Sequence, residues 1–231
     1  MGGKSIASLV ELSGRWLGGR MEVYKFLKSR WADEMVSKGS VKIGTSSEYR
    51  VDDGKVGGQY DPRDSTYWFQ PGDVTVLMTD GSGLARRLAP GVKIREGGIP
   101  ITFTKDSVIN FSTLAMIYSC SCNFSDELAA TMAAKFSADA CVKIIDAEAF
   151  GTIVSQMGPP NGRHFSARPV TYKPHEMMTI DEVGDGGEVF VKRPEFKWQD
   201  EFRFVWNILP GRDGPWFIEL PEIKPLLTRI F

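Results

Sequence analysis

Hydrophobic and polar positions alternate with period 2 from Gln199 to Trp206, setting Gln199, Glu201, Arg203 and Val205 against Asp200, Phe202, Phe204 and Trp206. A polar loop running into a strand accounts for the pattern, with an aromatic face for burial and a face carrying Glu201 and Arg203 side by side. That second face reads first as an ordinary solvated strand surface, with the wall of a polar cleft as the alternative. Upstream, Glu22–Leu27 reads as a strand, Ser29–Lys38 as a helix ended by Gly39, and Ser40–Thr45 as a second strand. Ile6, Leu9, Val10 and Leu17 predict an amphipathic helix capped by Ser5 and stopped by Gly18 and Gly19.

Residues 48 to 65 form a long Gly- and Asp-rich stretch of the kind that makes functional surface loops. Between Thr66 and Phe111, turn signals at 70–73, 79–82, 90–91 and 97–98 divide short apolar runs, which predicts a β meander. Ala115–Asn123 follows as a strand. Ser125 caps a helix to Phe136, Cys141–Ile145 is a buried strand, and Asp146 caps a helix to about Met157. Arg168–Tyr172, Glu188–Lys192 and Trp216–Leu220 predict further strands, and a short helix starts at Pro221. The class is α+β with strands dominant. Residues 1–20 are expected as a helical appendage and 21–231 as one domain.

Composition adds bounds to this picture. With 231 residues, 42% of them hydrophobic and 25% charged, the chain suits an ordinary globular domain with a sizeable core. A net charge of −1 supplies no global field toward nucleic acid or an anionic membrane, although a local basic groove stays open. No signal-peptide pattern and no run of 18 apolar residues is present, so a membrane partner is not expected. Three cysteines, two of them at Cys120 and Cys122 on one predicted strand, give no disulfide framework and point to a reducing, cytoplasmic setting.

Familiar chemistries fall away on their motifs. The chain has no Walker loop, no strand-turn-helix G-x-G-x-x-G and no Gly-x-Ser-x-Gly elbow. His175-Glu176 lacks the second histidine of a zincin helix, and the cysteines lack zinc spacing, so no metal site is expected. Asp52, Asp53, Asp61 and Asp64 fit no EF-hand loop. Several unusual runs remain: Val23-Tyr-Lys-Phe-Leu27, Gly39-Ser-Val-Lys-Ile-Gly-Thr45, Ser119-Cys-Ser121, Val170-Thr-Tyr172, and Lys192 followed by Trp198 and Glu201-Phe-Arg203.

In this order those runs resemble a bacterial and phage domain family. Its members open with a Tyr-Lys-Tyr or Tyr-Lys-Phe strand and close with a Lys…Trp…Glu-x-Arg segment. The resemblance covers about residues 22 to 207. The family is distantly similar to the ADP-ribosyltransferase fold, a β-rich split-sheet core with flanking helices that binds NAD in an open cleft. The resemblance implies NAD as substrate, cleavage of its nicotinamide glycosidic bond, an unknown acceptor macromolecule, and a role as a toxin or phage-host conflict factor. It also leaves room for a non-catalytic nucleotide- or partner-binding protein, since Lys25 stands where His or Arg is usual.

By the same analogy Tyr24 or Lys25 takes the first strand's place, Ser119 or Ser121 the second's, and Glu201 the last's, with Gln199 completing a Gln-x-Glu spacing. Glycosidic cleavage builds oxocarbenium-like charge on the ribose and calls for a carboxylate beside it. Glu201 suits that role, with Gln199 holding the acceptor group and Arg203 as structural partner. An ion pair of Glu201 with Arg203 or Lys192 is the plain alternative. Arg50 and Arg63 suit a pyrophosphate, against the plainer reading of solvated or Asp-paired arginines, while Tyr24, Tyr49 and Tyr172 suit stacking on a planar ring, against half-buried packing.

Overall fold

The computed structural model describes residues 20–46, 66–69, 74–79, 94, 96–103, 109–112, 115–158, 165–174, 187–207 and 214–231. The helix expected over Ser5–Leu17 and the loop carrying Tyr49, Arg50, Arg63 and the aspartates lie outside these residues, as does His175. Within them the protein mixes helices and antiparallel strands, an α+β arrangement. The strands are β1 (Val23–Leu27), β2 (Ser40–Thr45), β3 (Thr66–Phe69), β4 (Val74–Met78), β5 (Ile99–Phe103), β6 (Ile109–Ser112) and β7 (Ala115–Ser121). They continue with β8 (Ala140–Ile144), β9 (Phe165–Pro169), β10 (Thr171–Tyr172), β11 (Val191–Lys192), β12 (Glu201–Asn207), β13 (Trp216–Glu219) and β14 (Leu227–Arg229). The helices are α1 (Ser29–Lys38), α2 (Asp126–Phe136) and α3 (Ala147–Met157).

Local chemistry explains the helix ends. Ser125 Oγ accepts the Leu128 N–H at 3.1 Å and Asp146 Oδ1 accepts the Ala149 N–H at 2.9 Å, so two otherwise unpaired first-turn donors are satisfied. Gly39 ends α1 with φ 75° and donates its N–H toward the Glu34 and Met35 carbonyls. A Cβ at Gly39 would stand 2.1 Å from the Leu220 carbonyl oxygen, so glycine lets the end of α1 press against the end of β13.

The main sheet has eight strands and forks at β7. Along one edge of β7, β12 pairs over its full length, from Glu201 opposite Ser121 to Asn207 opposite Ala115, and β9 extends the sheet beyond β12. The other edge is shared. β1 meets it at Tyr24 opposite Ser121, whereas β2 meets it at Gly44 opposite Ile117 and Thr45 opposite Met116. One arm continues from β1 to β8 and β14, the other from β2 to β13. The Ser119 main-chain carbonyl falls between the two pairings, where the ladder leaves it without a strand partner.

One face of the sheet holds the principal core. Met116, Tyr118, Phe202, Phe204 and Trp206 pack there with Ala32 and Met35 of α1 and Phe150 and Val154 of α3. Full burial of such side chains is worth roughly 1.5–3 kcal/mol each, so this layer dominates stability. The Phe202, Phe204 and Trp206 rings follow one another at centroid spacings of 5.1 and 6.3 Å. The opposite face of β7 and β12 carries Ile117, Ser119, Ser121, Glu201, Arg203 and Val205, covered in part by Val189 and Phe190.

Several expectations need correction. The face bearing Glu201 and Arg203 is not solvated: Glu201 is 5% exposed and Arg203 0%. Its cover is non-periodic chain, a 3-10 turn at Gly187–Phe190 in place of most of the strand expected over Glu188–Lys192, and another at Pro194–Gln199. The span 66–111 is not a simple meander, because β3 pairs with β6 and β4 with β5, nesting one pair within the other. Pro221 opens a 3-10 turn, and Leu227–Arg229 then joins β8 as an edge strand that the sequence pattern did not suggest.

Candidate functional site

The site lies at the fork. Lys25 extends from β1 into the gap between the arms, where its Nζ donates to the stranded Ser119 carbonyl at 2.7 Å and sits 4.5 Å from the Tyr118 ring centroid. The ammonium thereby satisfies a main-chain acceptor that no strand reaches, with a π-face beneath it. Burial pushes the Lys25 ammonium down from its ordinary value, and the nearby Cys120 and Glu201 oppose that shift.

Beside Lys25 is a pocket of about 230 Å³ whose wall includes Tyr24, Ser119, Ser121, Lys192, Gln199 and Glu201. Phe26, Met132 and Phe136 supply apolar sides. The fold thus brings Tyr24, Lys25, Ser119, Ser121, Gln199 and Glu201 to one cavity from three strands and a turn. Tyr172 stands behind it: its hydroxyl accepts the Glu201 main-chain N–H at 2.8 Å and fixes the start of β12. Burial pushes the Tyr172 hydroxyl up, so at neutral pH it is a neutral partner. Tyr24 packs on Phe124 at 5.7 Å and donates to Glu22 Oε2 at 3.2 Å.

Glu201 is held on both oxygens. Arg203 Nε donates to Oε1 at 2.7 Å and Nη2 to Oε2 at 3.2 Å, while Lys192 Nζ donates to Oε2 at 3.0 Å. Burial pushes the carboxyl up, but Arg203 and then Lys192 outweigh it and hold the group well below the usual carboxylate range. The side chain is therefore an anion at neutral pH. A carboxylate offers about four acceptor positions, and the three donors above leave room on Oε1.

Lys192 also donates to Gln199 Oε1 at 2.7 Å. Gln199 does not share a strand face with Glu201, as its spacing suggested; it ends the Pro194–Gln199 turn, and Asp200 at φ 41° redirects the chain before β12 begins. The two side chains meet through the Lys192 ammonium instead. Ser119 Oγ is buried and lies near enough to lower the Glu201 carboxyl further, yet its geometry completes no hydrogen bond. Ser121 Oγ makes two long contacts, donating to the Asp200 carbonyl at 3.5 Å and accepting the Asn123 main-chain N–H at 3.4 Å. Both hydroxyls line the cavity with hydrogen-bonding capacity to spare.

The cysteines serve packing. Burial pushes the Cys120 and Cys141 thiols up to about 12, so neither is a thiolate at neutral pH. Among the described residues no group of three or more His, Cys, Asp or Glu side chains is placed to hold a metal ion. No helix among them is long and apolar enough to cross a membrane. The apolar walls from Phe26, Met132 and Phe136 were missed in the sequence. The i, i+4 pair Met132 and Phe136 on α2 was the available signal, but which strand α2 would face was not.

The chain matches no protein-family model, no curated protein and no solved structure.

Proposed function

We propose that the protein is an NAD-dependent ADP-ribosyltransferase-like enzyme whose reaction centre is the pocket at the fork. The observation that carries this reading is the convergence there of Lys25 from β1, Ser119 and Ser121 from β7, and Glu201 from β12. A first-strand cation, mid-sheet hydroxyls and a carboxylate from a late strand meet in the order that the family resemblance implies. In this reading the free position on Glu201 Oε1 accepts a ribose hydroxyl, and Ser119 Oγ takes a second polar group of the ligand.

The anionic carboxylate stabilises positive charge as the ribose C1′–nitrogen bond breaks, with its electron pair leaving on nicotinamide. A nucleophile on the acceptor then bonds to C1′ and loses its proton to solvent. Arg203 and Lys192 keep Glu201 ionised and aimed. Phe26, Met132 and Phe136 narrow the access of water, which strengthens these contacts. A cytoplasmic acceptor macromolecule, in the setting of a toxin or a phage-host conflict factor, fits the same reading.

A second reading is favoured by one observation: Lys192 and Arg203 already engage both Glu201 oxygens. A carboxylate so occupied suits binding without turnover. Nicotinamide release from NAD, followed in wild type and Glu201→Gln with folding checked by circular dichroism, separates the two. Turnover in wild type and its loss in Glu201→Gln is expected; saturable NAD binding with no release supports the binding protein, and equal turnover in both proteins removes Glu201 from the chemistry.

A further inference from the structure

Lys25 and Phe26 border a second cavity, a groove of about 780 Å³ on the other side of the fork, between α1 and the β2–β13 arm. Its size lies in the range of small-ligand sites, roughly 300–1,000 Å³. Two large aromatics line it while remaining open to solvent, Trp31 of α1 at 42% exposure and Phe217 of β13 at 66%. The outward position on β13 does not itself call for an aromatic side chain. Along β13, Trp216 and Ile218 turn inward and Phe217 and Glu219 outward, so a polar residue at 217 would serve the fold equally well.

The charged groups of the groove are arranged around these rings. Lys25, Lys28 and Lys42 line it, Lys42 with its Nζ 5.8 Å from the Phe217 ring centroid, and Arg30 stacks on Trp31 at 4.6 Å. Glu219 lines it too, and its Oε1 accepts the Ser40 hydroxyl at 3.4 Å, leaving acceptor positions unused. Aromatic faces take a planar base, ammonium groups take phosphate oxygens, and a carboxylate takes sugar hydroxyls.

From this combination we infer that the groove is a binding site for a nucleoside diphosphate, separate from the Glu201 pocket. The base stacks on Trp31 and Phe217, the phosphates meet the lysines, and Glu219 accepts from the sugar. An apolar ligand would make no use of the ammonium groups along the wall, and a bare phosphate would leave the two rings exposed. The site goes beyond the transferase reading and does not rest on it.

Calorimetric titration of the full chain with ADP tests the site. Saturable binding by wild type is expected, weakened roughly tenfold or more by Trp31→Ala and by Phe217→Ser and about tenfold by Lys42→Glu, and unchanged in Glu201→Gln. Thermal melts of the groove variants identify any loss that comes from unfolding, and Phe217→Tyr, which keeps the ring, is expected to restore affinity. No ADP binding by wild type overturns the inference, as does binding that survives the groove variants or that falls in Glu201→Gln. Absence of nicotinamide release would end the transferase reading while leaving the ADP result standing.

Discussion

The pocket and the groove share Lys25 and Phe26 but treat charge in opposite ways. In the pocket, Glu201, Arg203, Lys192 and Gln199 are nearly dry and are linked to one another by hydrogen bonds. In the groove, cations lie beside aromatic rings that remain in water. A dry, interlocked set is preorganised: its geometry is fixed before a ligand arrives, and losing one member strands the others. An open set costs little to alter, because water replaces whatever is removed. The same forked sheet therefore holds one site bound up with stability and another that is nearly independent of it.

The sharpest way to break that contrast is Glu201→Ala. Removing the anion takes from the buried Arg203 and Lys192 the carboxylate they share, so unfolding free energy should fall by about 3–5 kcal/mol in a urea titration. A loss below about 1 kcal/mol, typical of an exposed pair, would show that water reaches the cluster.

Acid titration sharpens the comparison by a smaller amount. The folded Glu201 carboxyl lies below its unfolded value of about 4.3, so the unfolded chain binds the extra proton. The stability it contributes is fully present above that unfolded value and is lost as pH falls from there toward the folded value, by at most about 1.4 kcal/mol per pH unit. Wild type should therefore lose stability more steeply than Glu201→Gln below pH ~4.3 in urea melts taken across that range. Parallel curves would mean that the carboxyl is not held as an anion.

The smallest effect belongs to the groove. Phe217→Ser should change unfolding free energy by no more than about 0.5 kcal/mol, because the ring is two-thirds in water. A loss approaching that of a buried phenylalanine, measured in the same titration, would place the ring in the core and remove it from any ligand.

How far the sequence disclosed these two regions follows from the range of the forces involved. The ends of α1, α2 and α3 are local events, so Gly39, Ser125 and Asp146 were legible as a stop and two caps. Alternation in β12 was equally plain and named its core face. The burial of the second face was not, because its cover is a pair of 3-10 turns with no period of their own. Gln199 was misplaced for the same reason: two-residue spacing looks like a strand until a residue such as Asp200 takes up positive φ. The fork depends on where β1 and β2 pair along one edge of β7, a pairing between residues roughly seventy to a hundred positions apart that leaves no local mark. In the groove, period 2 already turned Phe217 outward, but only the pairing of β13 with β2 set it beside Lys42.

The ion cluster on β12 also acts on the assembly of the sheet. Its apolar neighbours Phe202, Phe204 and Trp206 are similar enough in kind that a shift of two residues along β7 would still bury aromatics on the core side. Such a shift would carry Arg203 from its place opposite Ser119 to one opposite Ile117, toward the apolar cluster of Ala115, Val189 and Phe190. It would also part Glu201 from Lys192. A guanidinium forced among hydrocarbon is costly enough to reject that alignment. The charges therefore act as an alignment key, admitting one register of the strand pair on which both arms of the fork depend.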